Sequence, residues 1–271
     1  MLRKLLKYEF LATGRQLLPA YAGVILFAVL SRISVEIGGG MDSFWQGIPE
    51  APWIGVIFAI MMLFYVLSIF GVMALTVILI IRRFYTNLFK DEGYLTNTLP
   101  VSVDSLIWGK LIPAACWSVI SGIVTILSFI IVFGGTFAAY GPDIDLGQYF
   151  WLDLLEAIPT FGLLVLNGIA ALLAGILAFY SALSIGQLAK RHKILAAIGA
   201  YIGMSFVFSI LFSTLGVGIG TQAAYGVFST IGNEMSLIML MYGIMLGVNV
   251  IQGAVHYVIT RSIMKNSLNL E

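Results

Sequence analysis

RRFYTNLFKDEGYLTNTLPVS, residues 82–102, separates two apolar runs that are each long enough to cross a bilayer. Arg82 and Arg83 open it, Asp91, Glu92 and Gly93 form an acidic turn at its centre, and Pro100 precedes the next run. A transmembrane helix needs about 20 apolar residues, at about 1.5 Å each, to cross roughly 30 Å of hydrocarbon. The run before the stretch, 53–81, exceeds that minimum and is expected to tilt or to protrude into the cytoplasm, with Trp53 in the interfacial aromatic belt. After the stretch, Ser102 has the chemistry of an N-cap and Asp104 suits the first turn of a helix. The following run, 107–133, has Trp108 and Lys110 at its interface, and Pro113 one turn inside predicts a bend there.

The composition of the whole chain agrees with this alternation. Of 271 residues, 60% are hydrophobic and 10% charged, against roughly 25% charged in soluble domains. So few charges cannot cover so much apolar surface in water, whereas lipid removes the need for a charged exterior. The chain therefore reads as an integral membrane protein. Its net charge of +1 is distributed loop by loop and makes no single basic face, so nucleic acid is not an expected partner. Cys116 is the one cysteine, which excludes an intrachain disulfide and suggests no cysteine-based metal site.

Residues 1–16 carry Arg3, Lys4, Lys7 and Arg15, with Leu2, Leu5, Leu6, Phe10 and Leu11 spaced to share one helical face. This pattern predicts an amphipathic helix in the cytoplasmic interface, its cations toward anionic head groups. A signal peptide fits less well, because the apolar run from Leu17 is long and Arg32 and Glu36 stand where a small-residue cleavage site belongs. The first span is expected at 17–37. Arg32 and Glu36 lie one turn apart and can neutralise each other, with a substrate contact as the alternative. Gly38, Gly39 and Gly40 are expected to end that helix, and Gly134 opens an acidic outer loop, 134–156. Further spans are expected at 158–188, 194–215 and 235–260, with a basic turn at Lys190, Arg191, His192 and Lys193. The Gly-rich stretch 216–234 reads as a loop or as short re-entrant helices sheltered by protein. The expected fold class is all-α integral membrane: one domain of six transmembrane helices, an interfacial N-terminal helix and a cytoplasmic segment at 82–102.

Charge orients the spans. In a six-span layout every Lys and Arg except Arg32 falls on one side, which places both termini in the cytoplasm. Asp42, Glu50, Asp143, Asp145, Asp153 and Glu156 fall on the other. Such outer loops need polar residues in any case; a vestibule that attracts a cationic substrate is the sharper alternative.

Several chemistries have no sequence to carry them. Gly109 and Lys110 are followed by Leu111, so no phosphate-cradling G-x-x-x-x-G-K-[ST] loop is present, and there is no H-E-x-x-H. His192 belongs to the basic turn, and His256 is expected to make a hydrogen bond between helices. No carboxylate sits at mid-span, which argues against a carrier driven through a buried Asp or Glu. The polar residues within spans are Asn167, Asn249 and Gln252. Bonding between helices, at about 0.6 to 2 kcal/mol each, is their default role, and lining a substrate path is the alternative. Asn249 and Gln252 are three apart and share a helical side. Gly199 with Gly203, and Gly243 with Gly247, have G-x-x-x-G spacing, which permits close helix approach.

The basic start LRKLLKYEF, the six-span layout and the passage RRFYTNLFKDEGYLTNTLPVSVDSLIWGKL together resemble the membrane subunits of ABC-2 type ATP-binding cassette exporters, in a form common in Gram-positive bacteria. The likeness is most specific between Arg83 and Lys110. It implies a coupling helix at about 86–98, received by a cleft of a separate nucleotide-binding ATPase subunit, with Phe89, Asp91, Glu92, Gly93, Tyr94 and Leu95 as docking residues. It also implies a second membrane subunit, either a copy or a paralogue, and short extracellular helices that 216–234 would supply. ATP and Mg would be bound by the ATPase, so that this chain is a transport subunit in the plasma membrane without catalysis of its own. From the residues alone, Asp91, Glu92 and Tyr94 present charge and an aromatic knob to a neighbour, or else merely cap and solvate a loop. The family resemblance implies export of amphipathic or antimicrobial peptides, drugs, lipids or ions. Met61, Met62, Met239, Met241 and Met245 suit a deformable apolar surface and ordinary lipid-facing packing equally well. A secondary carrier or channel without an ATPase, or a membrane-embedded enzyme or assembly factor, are the alternatives from other classes.

Overall fold

A computed structural model describes residues 2–38, 52–89, 102–140, 148–222 and 234–266, and within these the side chains of 5–38, 53–89, 102–135, 158–214 and 238–266. The described residues form helices and contain no strand. In chain order they are α1 (Leu2–Ile37), α2 (Pro52–Phe89), α3 (Val103–Tyr140), α4 (Gln148–Gln187), α5 (Lys193–Gln222) and α6 (Glu234–Asn266). All six are long and apolar enough to cross a membrane, with spans of 22 to 37 residues and mean hydropathy of 1.8 to 2.7. Their apolar side chains are widely exposed, among them Phe70, Phe161, Ile194, Phe206 and Val258 at 61% or more. In water that surface would drive aggregation, whereas in hydrocarbon it costs nothing. The helices fit a multi-pass membrane protein.

The helices outrun the apolar stretches that predict them. The segment expected to lie apart as an interfacial helix, 1–16, continues into the first span as one helix, passing through Pro19. Its buried side is Glu9, Thr13, Gly14 and Leu17, while Tyr8 and Leu11 face outward at 70% and 58%. Gly134 and Gly135 do not end α3, which runs on to Tyr140, and α4 begins at Gln148, ten residues before its apolar run. The outer loop expected at 134–156 is therefore mostly helical at the backbone. Residues 216–222 prolong α5, and 223–233 lie outside the described residues. A helix satisfies its own backbone groups, so it has no reason to stop where lipid stops.

The chain divides into two compact units. The first comprises Met1–Arg82 and Ile112–Ile144. Its core is a stripe of Leu17, Tyr21, Val24 and Ala28 on α1, at alternating steps of four and three, with Tyr65, Val72 and Leu79 on α2 at steps of seven and Val132 on α3. These are the spacings of side chains that share one face of a packed helix. Hydroxyls bind the same three helices together. Tyr21 Oη lies 2.8 Å and Thr76 Oγ1 3.0 Å from Ser121 Oγ, and Tyr65 Oη lies 3.1 Å from Ser128 Oγ. Arg32 pairs with Glu36, as the spacing predicts, and its guanidinium lies against the backbone of Gly135.

The second unit comprises Arg83–Leu111 and Asp145–Glu271. Here α4 packs on α6 through small residues: a Cβ at Gly253 would lie 3.6 Å from Ala174 Cβ. The α4–α5 turn is tight, with a Cβ at Gly186 falling 2.6 Å from Ala197 Cβ. His192 closes that turn with φ of 55°, and Arg191 and His192 are exposed, as a basic turn should be. Phe179 and Tyr201 stack across it at 4.8 Å.

Candidate functional site

Both roots of the 82–102 stretch lie in the second unit, where its flanking residues are fastened to different helices. On the α2 side, Phe84 and Leu88 are fully buried four residues apart, the spacing of one helical face. The Phe84 ring lies on Tyr180 of α4 with centroids 3.8 Å apart and planes within 8°, and Phe89 meets Phe84 edge-on at 5.6 Å. Three aromatic rings thus hold the last turn of α2. The edge contact of Phe89 on Phe84 is an arrangement that ring quadrupoles favour.

On the α3 side, Ser102 caps the helix as predicted, its Oγ accepting from the Ser105 N–H at 3.3 Å. Asp104, in the first turn, does more than complement the helix dipole. Arg261 of α6 grips its carboxylate at two points, Nε to Oδ1 at 2.7 Å and Nη2 to Oδ2 at 3.0 Å. Tyr257, one turn earlier on α6, donates its hydroxyl to Oδ1 at 2.5 Å, and its ring lies 6.1 Å from that of Trp108. Lys110, expected at the interface, is buried and has a partner.

Of the expected docking residues, Phe89 is half-buried against Phe84, and Asp91, Glu92, Gly93, Tyr94 and Leu95 lie outside the described residues. The three candidates for a substrate path separate. Asn167 and Asn249 come together: Asn249 Nδ2 donates to Asn167 Oδ1 at 2.8 Å, while Asn167 Nδ2 donates to the Tyr242 carbonyl at 2.6 Å. Asn167, 94% buried, thus bonds to α6 through both ends of its amide. Gln252 is half-buried, and its side chain makes no hydrogen bond among the described residues. His256, fully buried, meets Ser181 of α4 at 2.9 Å through Nδ1 and lies against Phe208 of α5, the bond between helices that the sequence predicts.

Two features escaped the sequence reading. The Arg261–Asp104–Tyr257 cluster had one visible sign, which is that Asp104 and the cations at the end of α6 fall on the same side of a six-span layout. The hydroxyl ladder of α3 had a clearer one. Ser118, Ser121, Thr125 and Ser128 repeat at steps of three and four and so share a helical face. The G-x-x-x-G pairs take no neighbour from the described residues of this chain: a Cβ at Gly199, Gly203, Gly243 or Gly247 would meet nothing within 4 Å. An apolar cavity of about 270 Å³ opens between α1 and α2, lined by residues such as Leu30, Ile33, Ile54 and Met61.

The chain matches no protein-family model, no curated protein and no solved structure.

Proposed function

We propose that this chain is the membrane-spanning subunit of an ATP-driven exporter of the ABC-2 kind, acting with a separate nucleotide-binding ATPase and a second membrane subunit in the plasma membrane of a Gram-positive bacterium. The resemblance of residues 82–111 to that family is its first support. The structural observation that carries it furthest is the anchoring of both ends of the polar stretch: Phe84 on Tyr180, and Asp104 on Arg261. A loop that served only as a solvated connection would need no such roots. Force applied to 90–101 would pass through α2 to α4 and through α3 to α6, as alternating access by rigid-body motion requires.

In this scheme Asp91, Glu92, Gly93, Tyr94, Leu95 and Phe89 form a coupling helix seated on the ATPase, which binds ATP and Mg. Both termini are cytoplasmic and the basic residues of α1 lie near the inner head groups. The cargo is an amphipathic or antimicrobial peptide, with drugs and lipids as alternatives under the same architecture. A secondary carrier or channel gains little from the polar residues within the spans, because Asn167 and Asn249 bind each other.

Purification in mild detergent, with and without Asp91→Lys and Glu92→Lys, tests the proposal. An ATPase that accompanies the native chain and is lost from the variant supports it; a stable, active chain with no ATPase overturns it. Cells that carry the chain and its ATPase should also resist an amphipathic peptide better than cells with Glu92→Arg at equal expression.

A further inference from the structure

The two roots of the polar stretch are held by different physical means. Phe84 is buried on Tyr180 and cannot leave without opening the packing of α2 on α4. The α3 root is held by an ion pair whose side chains are 38% exposed at Asp104 and 52% at Arg261. A half-exposed pair of this kind adds little to stability. Its geometry does something else. A planar guanidinium bonded at two points to one carboxylate sets direction as well as distance, and the Tyr257 hydroxyl adds a third point from the same helix. Asp104 stands two residues after Ser102, so the first turn of α3 is oriented by α6.

We infer that Arg261 and Tyr257 are positioning residues: they form a polar latch by which the C-terminal end of α6 sets the orientation of the first turn of α3 and, through it, acts on the docking proposed for residues 90–101. This rests on the docking role given above to 90–101, though the latch itself is testable without it. The sequence places the two halves of the latch 157 positions apart. The end of α6 thereby acts on the docking segment without belonging to it.

The test uses the full chain in lipid nanodiscs, with Cys116→Ala and a nitroxide on Val103→Cys beside Asp104. With Arg261 and Tyr257 present the label should be strongly immobilised. Arg261→Gln should shorten its correlation time at least threefold, Tyr257→Phe by a smaller factor, and Arg261→Lys, which keeps the charge and loses the fork, by an intermediate one. Tyr257→Phe keeps the ring and guards against a variant that merely misfolds. Spectra unchanged by both Arg261→Gln and Tyr257→Phe would overturn the latch. The second readout is the ATPase that accompanies the chain. A fall of fivefold or more in Arg261→Gln, partly restored in Arg261→Lys, is expected. Full retention of the ATPase despite a mobile label would overturn the positioning role. If no ATPase accompanies the native chain, the docking proposal fails, and the spectra alone decide whether α6 orients the start of α3.

Discussion

Asn167 occupies a position on α4 from which one amide group serves two partners on α6, accepting from Asn249 and donating to the Tyr242 carbonyl. In hydrocarbon neither amide has water to return to, so loss of one partner leaves the other unsatisfied. Replacement of either residue by Leu should destabilise the chain by about 0.6 to 2 kcal/mol. The double variant should cost less than the sum of the singles, because the bond between them is lost only once. Unfolding in mixed detergent micelles measures all three. Strict additivity would mean that the two amides do not bind each other. The residue types and their location within apolar runs were legible in the sequence; their mutual bond was not, since 82 positions separate them.

The elements pack through glycines that differ sharply in what surrounds them. Gly186 faces the start of α5, where a Cβ would fall 2.6 Å from Ala197 Cβ and 2.7 Å from the Lys193 carbonyl. Ala there must open the α4–α5 turn, and a loss of about 1 to 3 kcal/mol is expected. Gly247 on α6 has nothing within 4 Å. Ala at that position should be neutral or add about 0.5 to 1 kcal/mol through helix propensity. Equal losses at the two positions would contradict the packing described here. Sequence spacing does not separate these glycines: Gly243 and Gly247 make a G-x-x-x-G pair, and Gly186 ends a series of small residues at steps of four, Ala174, Ala178 and Ala182 before it. The motif reports that close approach is permitted, and only the position of a neighbouring backbone decides whether approach occurs.

Over the whole molecule, the segregation of basic residues makes a prediction about sidedness. In a Cys116→Ala background, single cysteines at Lys7 and Lys190 should react with a membrane-impermeant maleimide in inverted vesicles, and one at Glu36 should react on intact cells. Lys7, Lys190 and Glu36 are all exposed, so protein packing does not shield them, and reaction after detergent permeabilisation separates a site on the far side from one covered by lipid. Reaction of Lys7 and Lys190 on opposite sides would exclude six crossings in this order. The helical class and the six apolar runs were determined by the sequence alone. In lipid a backbone must satisfy its own polar groups, and run length then counts the crossings. Helix ends were less legible, as α3 and α4 show by running past their apolar stretches. Which face meets which neighbour was decided only in the tertiary structure. A side chain that faces lipid and one that faces another helix are equally apolar, so periodicity, the signal that separates inside from outside in water, is weak here. The Asp104–Arg261 grip, the Phe84–Tyr180 stack and the Asn167–Asn249 bond each join distant positions, and nothing local in the chain distinguishes the true partner from the other candidates.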